Sequence, residues 1–342
     1  GGTSTNSGQI QIPDEFSLFF GGRVADSDTV KIGFMMENNL VGGPLGGIVA
    51  GFKMPFVFEQ GGETRILVIP YLTDALGQAY GFEQSSTGMT RGIRWAEHRN
   101  ETSAAQYTGI GSGAASGIAF VASNEMGYIN LSRWSPQFAY AGGDTGVRMS
   151  STWLRAAATP TLGEWAMHIG AGLSSGNSSC ADPLNLAGAG ATAHGTADCD
   201  TKGSVVDFQG HGMIGGKPAG VYVQYASAPA SEAGMANLFN AKTGTARTAL
   251  TMGVDVSVVP NVLHLGAAVR LGNTGKDVAE EAAGASDYDD ALTLTAIYDM
   301  AMNVALHINY SEYSGASYNA GGTNAAVTTG KSLLTFMLEA AW

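Results

Sequence analysis

Charged residues are scarce in this 342-residue sequence, and those present are mostly acidic. Only 13% of the residues are charged, about half the share found in ordinary globular proteins. Aspartate and glutamate number 29 against 17 lysines and arginines, which gives a formal net charge of −12. A general nucleic-acid-binding protein carries a basic face. The composition therefore argues against nucleic acid as a partner.

Long hydrophobic runs are also missing, although 44% of the residues are hydrophobic. No uninterrupted apolar stretch approaches the roughly 18–20 residues of a membrane-spanning helix. The opening residues GGTSTNSGQIQIP lack the basic and apolar regions of a signal peptide. We expect that a signal was removed or that there never was one.

Motifs of enzyme chemistry are incomplete, so we expect no catalysis, no cofactor and no metal. GLSSG at Gly172 to Gly176 has the spacing of a nucleophile elbow, but it lies where a strand enters a glycine-rich loop. TTGKS at Thr328 to Ser332 resembles a phosphate loop, yet Ala325 replaces the first glycine and a strand follows instead of a helix. The sequence has no CxxCH motif for covalent haem, and its six histidines are scattered.

What the sequence does contain is period-2 alternation. Residues 247–259 carry leucine, methionine and valine on one face and threonine, glycine, aspartate and serine on the other. The segments 261–272, 288–299 and 301–312 alternate in the same way, and so does the final LLTFMLEAAW. A soluble β-sandwich also alternates, but its apolar faces meet across a core. A transmembrane barrel turns those faces toward lipid.

The lengths of the connections separate these two interpretations. In the second half of the chain, tight turns alternate with long connections rich in glycine, alanine, serine and asparagine. Short turns at one rim and long loops at the other are typical of an outer-membrane barrel. We therefore predict an all-β, transmembrane antiparallel β-barrel of about sixteen strands, with fourteen or eighteen still open. The predicted strands are 15–26, 29–38, 46–59, 64–72, 77–85, 114–123, 127–141, 147–157, 163–174, 204–212, 218–227, 246–259, 261–272, 288–299, 301–312 and 331–342.

The predicted barrel occupies residues 15–342 as one domain, after an N-terminal segment at 1–14. The first half fits less well, because the connections at 26–28 and 61–63 are very short for the outer rim. Prolines at 55, 70 and 136 fall inside predicted strands, where each removes a hydrogen-bond donor. They indicate either bulges or a wrong strand count.

The chain resembles a Gram-negative outer-membrane porin of the sixteen-stranded general type in its length, acidic charge, loop rhythm and aromatic C-terminal strand. The resemblance implies an outer-membrane location with short periplasmic turns, contact with lipid, and assembly as a homotrimer. It implies passive diffusion of small polar solutes and ions through a water-filled pore. The terminal strand, with Phe336, Leu338 and Trp342, is similar to the closure signal that the barrel-assembly machinery reads. Trp342 is a departure, because the family usually ends in phenylalanine.

In general porins, one long loop folds into the barrel and narrows it. The corresponding stretch here is 86–113, which contains the charged run TGMTRGIRWAEHRNE. The alternative is a solvated external loop, and the family's acidic constriction motif is not recognisable, which leaves the ion preference open. Candidates for the constriction are Arg91, Arg94, Glu97, His98, Arg99 and Glu101. Candidates for the lumen wall are Lys31, Asp207, His211, Asp255, His264 and Arg270.

Both cysteines of the chain, Cys180 and Cys199, fall in the predicted outer loop 175–203. Two cysteines in one loop of an exported protein favour a local disulfide. Two free thiols are a weaker alternative because an exported protein sits in an oxidising compartment. A metal site with His194 and Asp200 is weaker still because no paired Cys/His spacing is present.

Two other classes of function stay open. One is a barrel that sheathes a periplasmic or extracellular partner such as a c-type cytochrome, since EFSLFFGGRV faintly resembles the first strands of such barrels. The other is a structural surface protein.

Overall fold

The computed structural model describes residues 15–41, 51–61, 63–83, 93, 95, 103–138, 148–180, 197–315 and 332–341. All structural statements below refer to these residues. Trp342 and the six constriction candidates lie outside them.

The described chain is almost entirely β-structure, in which seventeen strands form one sheet and two form a separate small sheet. This confirms the predicted all-β antiparallel class. The large sheet contains β1 Glu15–Asp26, β2 Lys31–Val41, β3 Gly51–Lys53, β4 Phe56–Glu59, β5 Arg65–Thr73, β6 Ala115–Asn124, β7 Gly127–Ser135, β8 Ser151–Ala158, β9 Thr161–Leu162, β10 Trp165–Ser175, β13 Gly203–Ile214, β14 Lys217–Ala228, β15 Arg247–Val259, β16 Leu263–Asn273, β17 Asp289–Ala301, β18 Val304–Gly315 and β19 Ser332–Ala340. The small sheet contains β11 Asn177–Cys180 and β12 Ala197–Asp200.

Prolines interrupt two of the crossing strands without changing their register. Met35 pairs with Lys53 and Lys31 with Val57, so β3 and β4 continue one strand across the break at Pro55. Likewise, β8 and β9 both pair with β10 in one register, on either side of the break that contains Pro160. Fifteen strands therefore cross the sheet within the described ranges.

Each crossing strand is antiparallel to the next, so β1 and β19 run in the same direction. The registered pairings of the described chain do not include a β1–β19 pair. Antiparallel closure of the sheet would need one further strand, and closure stays a prediction.

The connections alternate in length along the whole described chain. We call the edge with the tight turns the short rim and the opposite edge the long rim. Two-residue turns at the short rim use left-handed backbone, with φ of 57° and 74° at Gly215 and Gly216 and 63° at Asn303, as tight hairpins require. Long-rim connections follow β2, β5, β7, β10, β14, β16 and β18.

The predicted strand 77–85 is wrong. Gln78–Gly81 forms a buried 3₁₀ turn instead, and the positive φ of Gly77 (68°) interrupts extended backbone just before it. The neighbouring strands β5 and β6 pair directly with each other. Without the false strand, the short connections at 26–28 and 61–63 fall on the short rim. The alternation then holds from the first strand onward.

The two faces of the sheet have opposite polarity. On β17, Leu292 and Leu294 are 46% and 48% exposed, whereas Thr293 is fully buried and Thr295 is 6% exposed. The same contrast recurs across much of the sheet, where large aliphatic side chains are exposed on the convex face and polar or small ones lie on the concave face. A sheet surrounded by lipid requires this arrangement. The concave face also carries large rings, such as Tyr71, Trp134 and Trp153, which are buried in a hydrophobic core. The exposed apolar set includes Phe120, Leu131, Leu154, Ile169, Val206, Val254, Leu265, Leu271 and Phe336.

The helical elements are short. They are the 3₁₀ turn Gln78–Gly81, helix α1 at Ala104–Tyr107 and helix α2 at Val278–Ala282. Among the residues that the structure describes, no helix has the length and apolar character needed to cross a membrane.

Leu294→Arg tests the environment of the convex face. An exposed leucine on a water-facing surface tolerates this change within about 0.5 kcal/mol. In lipid, a strand-centre arginine costs about 2–4 kcal/mol, which is what we expect. The measurement is the free energy of unfolding in lipid vesicles by urea titration.

The matched control is Met302→Arg in a short-rim turn, where the side chain is 90% exposed. We expect little change there, because rim positions reach water. Equal, small effects at both positions would mean that the convex face meets water.

Candidate functional site

The connection between β5 and β6 lies on the concave side of the sheet. We call its described residues, 74–83, 93, 95 and 103–114, the inserted segment. Ala104, Ala105 and Ile110 in it are fully buried. Lys53 of β3 and Asp289 of β17 both contact it. The segment thus contacts strands that are far apart in the order of the sheet, which indicates that the sheet curves around it.

A buried ion cluster attaches the first part of this segment to the wall. The guanidinium of Arg155 on β8 donates to both carboxylate oxygens of Asp207 on β13, at 2.7 and 3.0 Å. Its Nε donates to the carboxylate of Glu83, which also accepts from the hydroxyl of Tyr128. The side chains of Arg155, Asp207 and Glu83 are 0%, 2% and 6% exposed. Such charges are tolerated in a protein interior because they are paired and hydrogen-bonded.

A second cluster attaches the end of the segment to another part of the wall. Tyr107 of α1 donates to Asp289 Oδ2 at 3.1 Å, and Arg270 Nη2 donates to Asp289 Oδ1 at 3.1 Å. The guanidiniums of Arg270 and Arg247 lie 4.3 and 4.8 Å from the centre of the Tyr107 ring. Burial and the Asp289 carboxylate raise the pKa of Tyr107 well above its usual range. The phenol therefore remains a neutral hydrogen-bond donor.

Polar contacts between these clusters complete the attachment. Gln224 Oε1 of β14 accepts from the hydroxyl of Ser103 at 2.9 Å and from the backbone N–H of Ala105 at 2.7 Å. The ammonium of Lys53 donates to the backbone oxygens of Tyr80 and Glu83 at 3.0 and 3.2 Å. Both ends of the segment are thus fixed by side chains of the wall.

Glycines of the concave face leave room for rings that lie flat on it. A Cβ at Gly266 would lie 2.7 Å from Trp95 Cε3, and one at Gly272 would lie 3.0 Å from Tyr107 Cζ. Either contact is far closer than van der Waals packing allows. The glycine content of these strands therefore permits the inserted segment to approach the wall.

Two of the six lumen-wall candidates belong to the buried clusters and hold the segment. These are Asp207, bound to Arg155, and Arg270, bound to Asp289. Their charges are paired within the wall.

The other four candidates also lie on the concave face. Lys31 Nζ lies 2.8 Å from Glu59, and His264 Nε2 lies 3.4 Å from Asp299. The ring of His211 packs edge-on against Tyr222, with centroids 5.5 Å apart. Asp255 lies beside Gly220.

The terminal strand pairs with β18 over its whole length. Phe336 and Leu338 are each 65% exposed on the convex face. Their role in closing the barrel stays a prediction.

Sequence reasoning missed Glu83, Arg155, Tyr107 and Asp289. The alternation of β8 carried a signal for Arg155, because it shares the inward face with Ser151 and no apolar strand face tolerates a lone arginine. Glu83 and Tyr107 lie outside any periodic pattern. Their partners are distant in sequence and become visible only in the fold.

Cys180 and Cys199 form a disulfide, as predicted. They join β11 and β12, a small hairpin within the long-rim connection between β10 and β13. His194 lies outside the described residues. Among the residues described, no group of three or more histidine, cysteine, aspartate or glutamate side chains is arranged to hold a metal ion.

No protein-family model matches this chain, and no curated protein sequence matches it. Solved structures do. One variant of the Rh. blastica porin is 12% identical, covers 88% of this chain and 85% of its own, and has a TM-score of 0.48. Another is 11% identical over 95% of this chain and 88% of its own, with a TM-score of 0.47. The trimer form of OmpT, an outer-membrane protein of Vibrio cholerae, is 13% identical over 88% and 87%, with a TM-score of 0.39.

Gly266→Ala tests whether the wall glycines are spaces for the inserted segment. The added methyl group meets the rigid indole of Trp95, so we expect a loss of about 1–3 kcal/mol in the free energy of unfolding. The control is Gly33→Ala in β2, whose Cβ would have ordinary contacts at 3.4 and 3.6 Å. That variant should be unchanged or more stable by about 0.5–1 kcal/mol. Equal stability of the two variants would contradict the role given to Gly266.

Proposed function

We propose that this protein is a porin: a channel of the Gram-negative outer membrane through which small polar solutes and ions diffuse passively. The observation that carries the proposal is a single antiparallel sheet with an apolar convex face, a polar concave face and a chain segment seated inside. A convex face of leucine, valine and phenylalanine suits lipid, and a concave face of serine, threonine and asparagine suits water.

In this proposal the short rim faces the periplasm and the long rim faces outward. Neighbouring long-rim connections are joined by ion pairs. Lys242 Nζ lies 3.0 Å from Asp277 and 2.8 Å from Glu280, which joins the connection after β14 to the one after β16. We further propose a homotrimer, as the resemblance implies, inserted by the barrel-assembly machinery.

The solutes proposed are small because the inserted segment takes up part of the interior. A barrel of about sixteen strands is wide enough for an aqueous channel, and a seated segment narrows it. Selectivity then depends on charges within about a Debye length, roughly 8–10 Å, of the narrowest point. Our candidates are Arg91, Arg94 and Arg99, with Glu97, His98 and Glu101 as acidic or titratable neighbours.

Two buried arginines of the wall lie near the segment. Arg155 and Arg270 are both bound to carboxylates. A paired, buried arginine contributes little field to the passage, because its partner cancels it at a distance. This supports the arginines of the stretch 91–99 as the residues that set ion preference.

A sheath around a cytochrome and a structural surface protein are the alternatives. The inserted segment argues against a sheath, because it occupies interior space that a protein partner would need. No feature of the described residues favours a surface-structural role over a channel.

Planar-bilayer conductance of the purified protein tests the proposal. We expect discrete conductance steps at constant voltage, and swelling of liposomes in solutions of small sugars. A folded protein that inserts into vesicles and passes neither ions nor sugars would refute the channel.

Replacement of Arg91, Arg94 and Arg99 together by alanine tests the constriction. Loss of three positive charges from a narrow passage should shift the reversal potential toward cation preference and change the single-channel conductance. Arg133→Ala is the control, because Arg133 is exposed and bonds near the long rim. Unchanged selectivity in the triple variant would move the search to Lys31, Asp255 and the other wall residues.

A further inference from the structure

We infer that the Glu83–Arg155 ion pair is the positioning contact that sets the width of the passage. The inference rests on the proposed channel function, because width matters only if solutes pass. It assigns Glu83 no contact with solute. Its role is to hold the inserted segment at one place against the wall.

On the side of the wall, Arg155 has a carboxylate partner that does not belong to the segment. Arg155 Nη1 and Nη2 both bond to Asp207, so the guanidinium has a bidentate carboxylate partner on the neighbouring part of the sheet. His168 Nδ1 lies 3.4 Å from the same Asp207. Only Nε of Arg155 points to Glu83. The strands therefore keep a paired arginine even when Glu83 is removed.

The segment half depends on the wall. Glu83 is nearly buried, and its carboxylate receives charge-assisted hydrogen bonds from Arg155 and Tyr128. Phe82 packs edge-on against the same Tyr128, with ring centroids 4.8 Å apart. A carboxylate that leaves such a site loses its partners before it regains water. The contact therefore opposes any movement of the segment into the lumen.

The position of Glu83 in the chain explains how this contact can affect the width of the passage. Glu83 directly precedes the charged stretch that contains Arg91 and Arg99, and Ser103 directly follows it. Ser103 is bound by Gln224, and Tyr107 by Asp289. The end of the stretch thus has several attachments in β14 to β17. Its beginning is attached by the cluster around Arg155, by Lys53, and by the hydroxyl of Tyr71, which donates to the backbone oxygen of Gln78 at 3.0 Å.

Glu83→Ala removes the contact and leaves the Arg155–Asp207 pair in the wall. We expect the single-channel conductance to increase by about twofold and the open-channel noise to rise, because residues 78–83 of the segment are no longer held against the wall. Backbone amides of residues 78–83 should exchange with deuterium faster, while those of 103–108 keep their protection. Heat-modifiability on gels should remain, since the strands are untouched.

Two further variants separate the contact from its charge. Glu83→Gln keeps an oxygen that accepts from Arg155 and Tyr128, so its conductance and exchange should lie between those of wild type and Glu83→Ala. Glu232→Ala removes an equal charge from the exposed pair with Lys202 at the long rim. It should match wild type in both measurements.

The readouts distinguish the inference from the channel proposal. A wild-type protein that does not conduct refutes the channel, whereas hydrogen exchange still tests the contact. Faster exchange at 78–83 without any change in conductance would overturn the assignment of width to Glu83. Unchanged exchange in Glu83→Ala would overturn the contact itself. If Glu83→Ala does not assemble, Glu83→Gln decides by the same two measurements.

Discussion

Backbone hydrogen bonding is the constraint on which the rest of this structure depends. A strand whose convex side meets lipid has no water to satisfy its N–H and C=O groups, so each must pair with a neighbouring strand. The pairing of each described strand with the next, from β1 to β19, meets this demand, and it persists where Pro55 and Pro160 interrupt a strand. Register shifts occur near the short rim, between Arg23 and Ala25, Ser257 and Val259, and Asp299 and Ala301. Antiparallel pairing of consecutive strands also accounts for the tight turns and the alternating rims.

The polar interior imposes a second constraint, because charges buried between the inserted segment and the wall must be paired. Charges placed on the concave face are buried once a segment covers them, and each must then have a partner. Arg155 and Arg270 are partnered at two parts of the sheet by Asp207 and Asp289, and the segment adds Glu83 and Tyr107 to the two clusters. The same contacts therefore pair these charges of the wall and fix the segment.

The strands were predictable from sequence because one apolar and one polar face impose a two-residue period on them. The strand predicted at 246–259 agrees to within one residue with β15, Arg247–Val259. The strand predicted at 77–85 is wrong although Tyr80 and Phe82 alternate with smaller residues, because Gln78–Gly81 forms a buried 3₁₀ turn. The candidate site was predictable only in part. Asp207 and Arg270 lie in regular strands, whereas Glu83 acts through Arg155, 72 residues away.

The rings that rest on glycines have a consequence for how this sequence can change. Trp153 lies against Gly172 on the neighbouring strand, and Tyr71 lies against Gly117. In each case two positions share one fixed volume, so a larger residue at one demands a smaller residue at the other. In related chains, we expect paired substitutions at these positions. The aromatic residue would then stand on one strand in some chains and on the neighbouring strand in others. Such paired substitutions keep the thickness of the wall constant while its amino-acid sequence changes.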